Sequence, residues 1–242
     1  MTKTKGKKWL RHALIILIVL VTACALYLGD YYRADQQAVA AFGAETAIEV
    51  QTLADGTTAF VPEQPRAGFI FFPGGNVEHT DYVPLMQACA QQGILCVLTE
   101  MPFRLAVLDI NAADGLREQF PEVENWYLGG HSLGGAMASA YLEKHANQFE
   151  GLILLGAYAS ADLSQSGLEV LSLYGSEDGV LDREKYDSSK SNLPEKFTEV
   201  GIDGGCHAGF GFYGPQKGVG NPTLTTEEQI EFPVRTIIDF VA

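Results

Sequence analysis

Apolar residues fall into two patterns along this chain: one long unbroken run near the start, then short runs separated by polar and glycine-rich stretches. The long run, residues 13–28, carries no charge and follows Lys3, Lys5, Lys7, Lys8 and Arg11. Residues 47–53 and 58–62 alternate like antiparallel strands around Asp55-Gly56, a hairpin turn dipeptide. Residues 68–72, 94–98, 126–129, 152–155 and 170–174 are apolar but for Ser172, the mark of strands buried on both faces, and 198–202 makes a last candidate. Helices are expected over 82–92, 106–120, 134–145 and 225–241, the last opening on the start signal Thr225-Thr226-Glu227-Glu228. Short strands alternating with helices specify an α/β fold: a mostly parallel central sheet with helices on both faces and ligand sites beyond the strands' carboxyl ends. The short gap between 155 and 170 leaves no room there for a large cap domain.

As a helix, residues 13–28 would extend about 24 Å, a little short of the roughly 30 Å hydrocarbon layer. Trp9 and Leu10 on one side, and Tyr27, Tyr31 and Tyr32 on the other, suit the two interfaces. The expected division is a signal anchor over 1–28, a juxtamembrane linker or short helix over 29–44, and an α/β domain over 45–242. The basic flank belongs in the cytoplasm, which places the domain outside, at the cell membrane. Ala23-Cys24-Ala25 also fits a cleavage site, and Val21-Thr22-Ala23-Cys24 resembles the lipobox of bacterial lipoproteins. A lipoprotein or secreted form therefore stands as the alternative. Apolar character that continues past Cys24 to Leu28 favours the retained anchor.

Without the basic flank, eleven basic residues face thirty acidic ones, a balance of −19. Such a body repels nucleic acid, so no nucleic-acid partner is expected. No cysteine has metal-ligand spacing, and neither a metal nor an organic cofactor is expected. Cys89 and Cys96 are read as buried thiols, with a disulfide as the other option. Nothing in the sequence sets the oligomeric state.

The most informative stretch is Leu128-Gly129-Gly130-His131-Ser132-Leu133-Gly134-Gly135-Ala136. An apolar strand runs into Gly-x-Ser-x-Gly, and small residues then open a helix. This arrangement presents a serine hydroxyl on a tight strand-to-helix bend, with helix N–H groups and the positive dipole end aimed at the reaction site. A serine needs a base, and the base is best oriented by a carboxylate. Asp178 follows the strand at 170–174 in Gly175-Ser176-Glu177-Asp178-Gly179, with Glu177 and Asp182 as rivals. His207 lies in Gly204-Gly205-Cys206-His207, after the last strand. The order Ser132, Asp178, His207 is the one a nucleophile elbow requires. Oxyanion donors are expected from the N–H of Leu133 and from Phe72-Pro73-Gly74-Gly75-Asn76, where Gly75 is the first choice and Asn76 the second. His131 only fills the variable slot of the elbow, and His79 lies near the oxyanion loop.

These four motifs, in this order, resemble the α/β-hydrolase superfamily over nearly all of 45–242. The chain is most similar to small capless bacterial members near the dienelactone-hydrolase branch, several of them membrane-anchored. Ser132 stands where dienelactone hydrolases have cysteine, which argues against dienelactone specificity. Pro73 stands where many lipases have histidine. The resemblance implies a carboxylesterase-like serine hydrolase acting on a small-molecule ester or related acyl compound. Acyltransferase or peptidase chemistry would use the same residues. A non-catalytic, surface-anchored binding protein with a hydrolase fold is the alternative from another class. Residues 210–224 and 100–103 are candidate pocket walls, with a structural loop packed by its own rings as the equal alternative for 210–224.

Overall fold

A computed structural model describes residues 3–43 and 48–242. Position 47 of the first expected strand, positions 1–2 of the anchor and position 44 of the linker lie outside the described residues. The chain forms two compact units, Met1–Tyr31 and Tyr32–Ala242.

The first unit is helix α1 (Lys3–Gly29). Its stretch Lys8–Leu26 is long and apolar enough to cross a membrane, a length and composition that also suit a signal sequence. Side chains from Leu14 to Val21 are exposed within the unit.

The second unit opens with Tyr32, which bridges to Val77, and with α2 (Gln36–Gly43), whose first turn is capped by Asp35 Oδ1 accepting from the N–H groups of Gln37 and Ala38. Eight strands follow: β1 (Glu49–Thr52), β2 (Thr58–Val61), β3 (Ala67–Phe72), β4 (Ile94–Leu98), β5 (Trp126–His131), β6 (Gly151–Leu155), β7 (Glu169–Gly175) and β8 (Phe197–Ile202). They form one sheet in the order β1-β2-β4-β3-β5-β6-β7-β8. β1, β2 and β4 pair antiparallel, and every pair from β4 onward is parallel.

The remaining helices are α3 (Val83–Ala90), α4 (Leu133–His145), α5 (Arg183–Ser189) and α6 (Thr226–Phe240). Side-chain alternation along β3 divides the core. Phe69 and Phe71 join Leu85, Met86, Ile230 and Ile237 on one face, whereas Ile70 and Phe72 join Ala138, Leu142 and Trp126 on the other. Two covered faces explain why the central strands read as unbroken apolar runs. Among the described residues no large cap interrupts the sheet.

Two expectations fail at the level of elements. Residues 106–120 are not a helix but a chain of tight turns, with short 3-10 pieces at Ala106–Leu108 and Arg117–Gln119. Backbone turn bonds such as Ala112 N–H to Asp109 O and Asp114 N–H to Asn111 O replace a helical ladder, and Gly115 sits at φ 72°, outside helical space. Ala106, Ala113, Leu116 and Phe120 are nevertheless buried, so the apolar spacing reported burial without reporting a helix. The missed element is α5, whose polar sequence buries only Tyr186 and Ser189 and whose N-cap is Asp182, accepting from Lys185 N–H at 3.1 Å.

Candidate active site

The order of the sheet reverses where β3 lies between β4 and β5, so the loops leaving β3 and β5 depart side by side. Phe72 pairs with Gly130, which sets the Pro73-Gly74-Gly75 loop beside the elbow. The fit is close: a Cβ on Gly130 or Gly134 would collide with the carbonyl oxygen of Phe72. Ser132 itself takes φ 52° and ψ −121°, a left-handed conformation that costs a non-glycine residue on the order of 1–3 kcal/mol. Its N–H donates to Leu155 O at 3.0 Å, and its carbonyl accepts from Ala136 N at 3.1 Å. These two bonds hold the strained residue between β6 and the first turn of α4.

His207 and Asp178 meet through the last parallel pair, in which Gly175 of β7 pairs with Ile202 of β8. The His207 Nδ1 and Asp178 Oδ2 atoms are 2.8 Å apart, with both side chains almost fully buried. The other oxygen, Oδ1, accepts from the N–H groups of Val180 at 3.0 Å and Leu181 at 2.8 Å. An acceptor-only carboxylate explains all three contacts and assigns the Nδ1 proton to His207. His207 Nε2 is buried and has no hydrogen-bonding partner among the described residues. Ser132 and His207 line one cavity of about 240 Å³ together with Leu133, Ala136, Tyr158 and Leu181.

The rival acids are engaged elsewhere. Glu177 Oε2 accepts from Asn221 N–H at 3.1 Å, and its carbonyl accepts from Gly220. Asp182 caps α5 and pairs with Lys185 at 3.1 Å.

In the loop after β3, Gly74 N–H donates to Tyr82 Oη at 3.1 Å and Asn76 N–H donates to Arg104 O at 2.9 Å. That leaves Gly75 as the loop amide that no described residue accepts from, the condition an oxyanion donor needs. The Leu133 N–H is free in the same sense. The Gly75 backbone packs against the Leu133 side chain, since a Cβ on Gly75 would come within 2.9 Å of Leu133 Cδ2. Asn76, the second choice, is thereby committed to Arg104.

The expected pocket walls are not those observed. The lining of this cavity comes from Gly156–Tyr158, after β6, and from Val180–Asp182, after Asp178, with no residue of 210–224 or 100–103 among it. Phe210 is instead packed inward against His131, with ring centroids 5.6 Å apart. His79 lies outside this lining, and burial lowers its pKa against the opposing pull of Glu100 and Glu78. Cys89 and Cys96 are buried free thiols, and burial pushes the Cys96 thiol well up. Among the described residues no cluster of His, Cys, Asp or Glu has the geometry to hold a metal ion.

Two supporting residues escaped the sequence reading. Gly156 takes φ 52°, and a Cβ there would come within 3.0 Å of His207 Nδ1, so glycine leaves room for the His–Asp contact. Gln229, buried on α6, clamps the histidine loop: its Oε1 accepts from Cys206 N–H and its Nε2 donates to Cys206 O, both at 2.8 Å. The only sequence signal for Gln229 was an amide on the otherwise apolar face of a helix.

Comparison with known proteins gives the same fold. The Alpha/beta hydrolase family matches residues 68–231, more than half of the chain, and the chain belongs to that family. The sheet resembles the solved structure of TT1662 from Thermus thermophilus, with a TM-score of 0.61 at 15% identity over 81% of this chain and 99% of that one. A dienelactone hydrolase from Anabaena variabilis is similar at a TM-score of 0.57 and 13% identity, covering 80% and 97%. A predicted CIB-like hydrolase from Thermoplasma acidophilum reaches 0.55 at 16%, covering 81% and 99%. At such identities the likeness is one of fold. No curated protein sequence matches the chain. Family and fold together support hydrolysis as the class of reaction.

Proposed function

We propose that the chain is a serine hydrolase that cleaves an ester or related acyl bond of a small molecule through a covalent acyl-enzyme. The observation that carries this reading is the buried His207–Asp178 contact at 2.8 Å, with the far nitrogen of His207 unpartnered and sharing a cavity with Ser132.

In this reading Ser132 Oγ attacks the acyl carbon while His207 Nε2 takes its proton. Asp178 fixes the imidazole in the Nδ1–H tautomer and stabilises the imidazolium that forms. The tetrahedral oxyanion accepts from the Leu133 and Gly75 N–H groups. Collapse breaks the bond to the leaving alkoxide, which receives the proton held on Nε2. Water, deprotonated by His207, then attacks the acyl-enzyme, and Ser132 leaves reprotonated with release of the carboxylic acid.

A cavity of about 240 Å³ favours short acyl groups, because pockets for larger organic ligands run from about 300 Å³ upward. The tyrosine-flanked helix α1 serves here as a retained membrane anchor, with the acidic unit on the side opposite the lysines.

A fluorophosphonate probe tests the chemistry. The wild-type chain should be labelled, and Ser132→Ala should remain folded and unlabelled. A series of p-nitrophenyl esters of rising acyl length should give kcat/KM values that fall beyond short chains. A folded wild-type chain that neither labels nor turns over any ester would refute the hydrolase reading in favour of a non-catalytic binding protein.

A further inference from the structure

Behind the cavity lies a hydrogen-bonded chain that the mechanism above does not use. Tyr82, fully buried just before α3, places its Oη 2.7 Å from His131 Nδ1, and the same oxygen accepts from Gly74 N–H at 3.1 Å. Because Oη already accepts from Gly74, its own proton goes to the one other polar atom it contacts, His131 Nδ1. That bond assigns the His131 proton to Nε2. The His131 ring lies against His207, with ring centroids 4.4 Å apart.

One phenol and one imidazole thus join three parts that reach the site from different elements: the loop after β3, the elbow after β5 and the histidine loop after β8. The contact with the first part is tight. A Cβ on Gly74 would come within 2.7 Å of Tyr82 Oη and 2.8 Å of His131 Nδ1, so the pair sets how near that loop can stand to the elbow. Gly75 is the next residue. A shift of the Gly74 amide carries the Gly75 N–H with it, away from the oxygen it is to receive.

We infer that Tyr82 and His131 are a positioning pair for this hydrolase, locking the oxyanion loop to the nucleophile elbow and bracing the ring of His207. The inference rests on the proposed serine-hydrolase reaction and extends it to two residues that touch neither substrate nor the reacting atoms. Its physical basis is the sensitivity of catalysis to placement: misplacing a group by about 1 Å can cost about a hundredfold in rate. Binding of the ground state depends far less on the oxyanion donors, so the loss belongs in kcat.

Three variants of the full chain decide the matter. Tyr82→Phe keeps the ring and removes both hydrogen bonds. His131→Leu removes the acceptor, and His131→Asn places an amide oxygen near the position of Nδ1. Tyr82→Phe and His131→Leu should lower kcat on a p-nitrophenyl ester by about ten- to a hundredfold while KM moves less than about threefold. Their affinity for a trifluoromethyl ketone carrying the same acyl group should fall in step with kcat/KM, as expected for a transition-state mimic. His131→Asn should restore kcat to within about fivefold of wild type, since an acceptor for Tyr82 is back.

Wild-type kcat in Tyr82→Phe would overturn the inference, as would a loss confined to KM or a His131→Asn variant as poor as His131→Leu. If Tyr82→Phe does not fold by circular dichroism, the two His131 variants carry the decision on the same criteria. Labelling of the wild-type chain at Ser132 separates the two levels. An unlabelled, inactive wild type removes the hydrolase reading and this inference with it. An active wild type with indifferent variants removes the positioning pair alone.

Discussion

Asp81 is a carboxylic acid in a place that disfavours its charge. It is fully buried, and neither of its oxygens has a hydrogen-bonding partner among the described residues. Burial, reinforced by the nearby carboxylate of Glu78, raises its pKa from 3.8 to about 8. The folded state therefore holds this proton more tightly than the unfolded chain does. The stability it contributes is complete below pH 4 and is lost as the pH climbs through 8, at a rate approaching about 1.4 kcal/mol per pH unit. Asp81→Asn keeps the shape and cannot ionise. Its unfolding free energy minus that of the wild type should grow steadily from pH 4 to 8 in urea titrations and level off above. A difference that stays flat with pH would show that Asp81 is charged and solvated. At the same scale, the motifs that carry chemistry were readable because backbone conformation dictates their residues, as Gly130 and Gly134 show around Ser132. Asp81, Tyr82 and His131 announced nothing, and the Tyr82–His131 bond joins positions 49 residues apart.

At the scale of elements, periodicity reported burial more faithfully than it reported conformation. It located the five central strands because a strand covered on both faces has no polar alternation to confuse the reading. It failed over 106–120, where the apolar spacing was real but tight backbone turns and Gly115 broke the helical path. It also failed for α5, whose face is too polar to stand out. Helix α6 was legible at both levels, because Thr225 and Glu228 form a capping box and its apolar stripe packs on the sheet. What it does for the site was not. Gln229 holds the Cys206 main chain from this helix, one residue before His207. Gln229→Leu would strand a buried N–H and a buried C=O at a cost of about 2–5 kcal/mol. The expected outcome is a lower melting temperature together with slower fluorophosphonate labelling of the folded fraction. Unaltered labelling in a destabilised variant would confine Gln229 to stability.

At the scale of the whole molecule, the division between helix α1 and the acidic α/β unit makes its own prediction. Retention of α1 as an anchor should place the chain in carbonate-washed membranes with the intact mass of all 242 residues. A mature chain that begins at Cys24 with added lipid mass would replace the anchor with a lipoprotein, and a soluble chain lacking the segment would replace it with a signal peptide. The charge balance of the unit, its strand and helix content and its four ordered motifs are properties of local sequence. Hydrophobic burial and backbone sterics act over a few residues, so the sequence by itself determined them. Which acid faces His207, which loop amide stays unpaired, which side chains wall the cavity and what His131 touches depended on the sheet order. Pairing β3 with β5 and β7 with β8 brings together residues that share no stretch of chain. Contacts of that kind depend on the whole packed structure, and only the tertiary structure decided them.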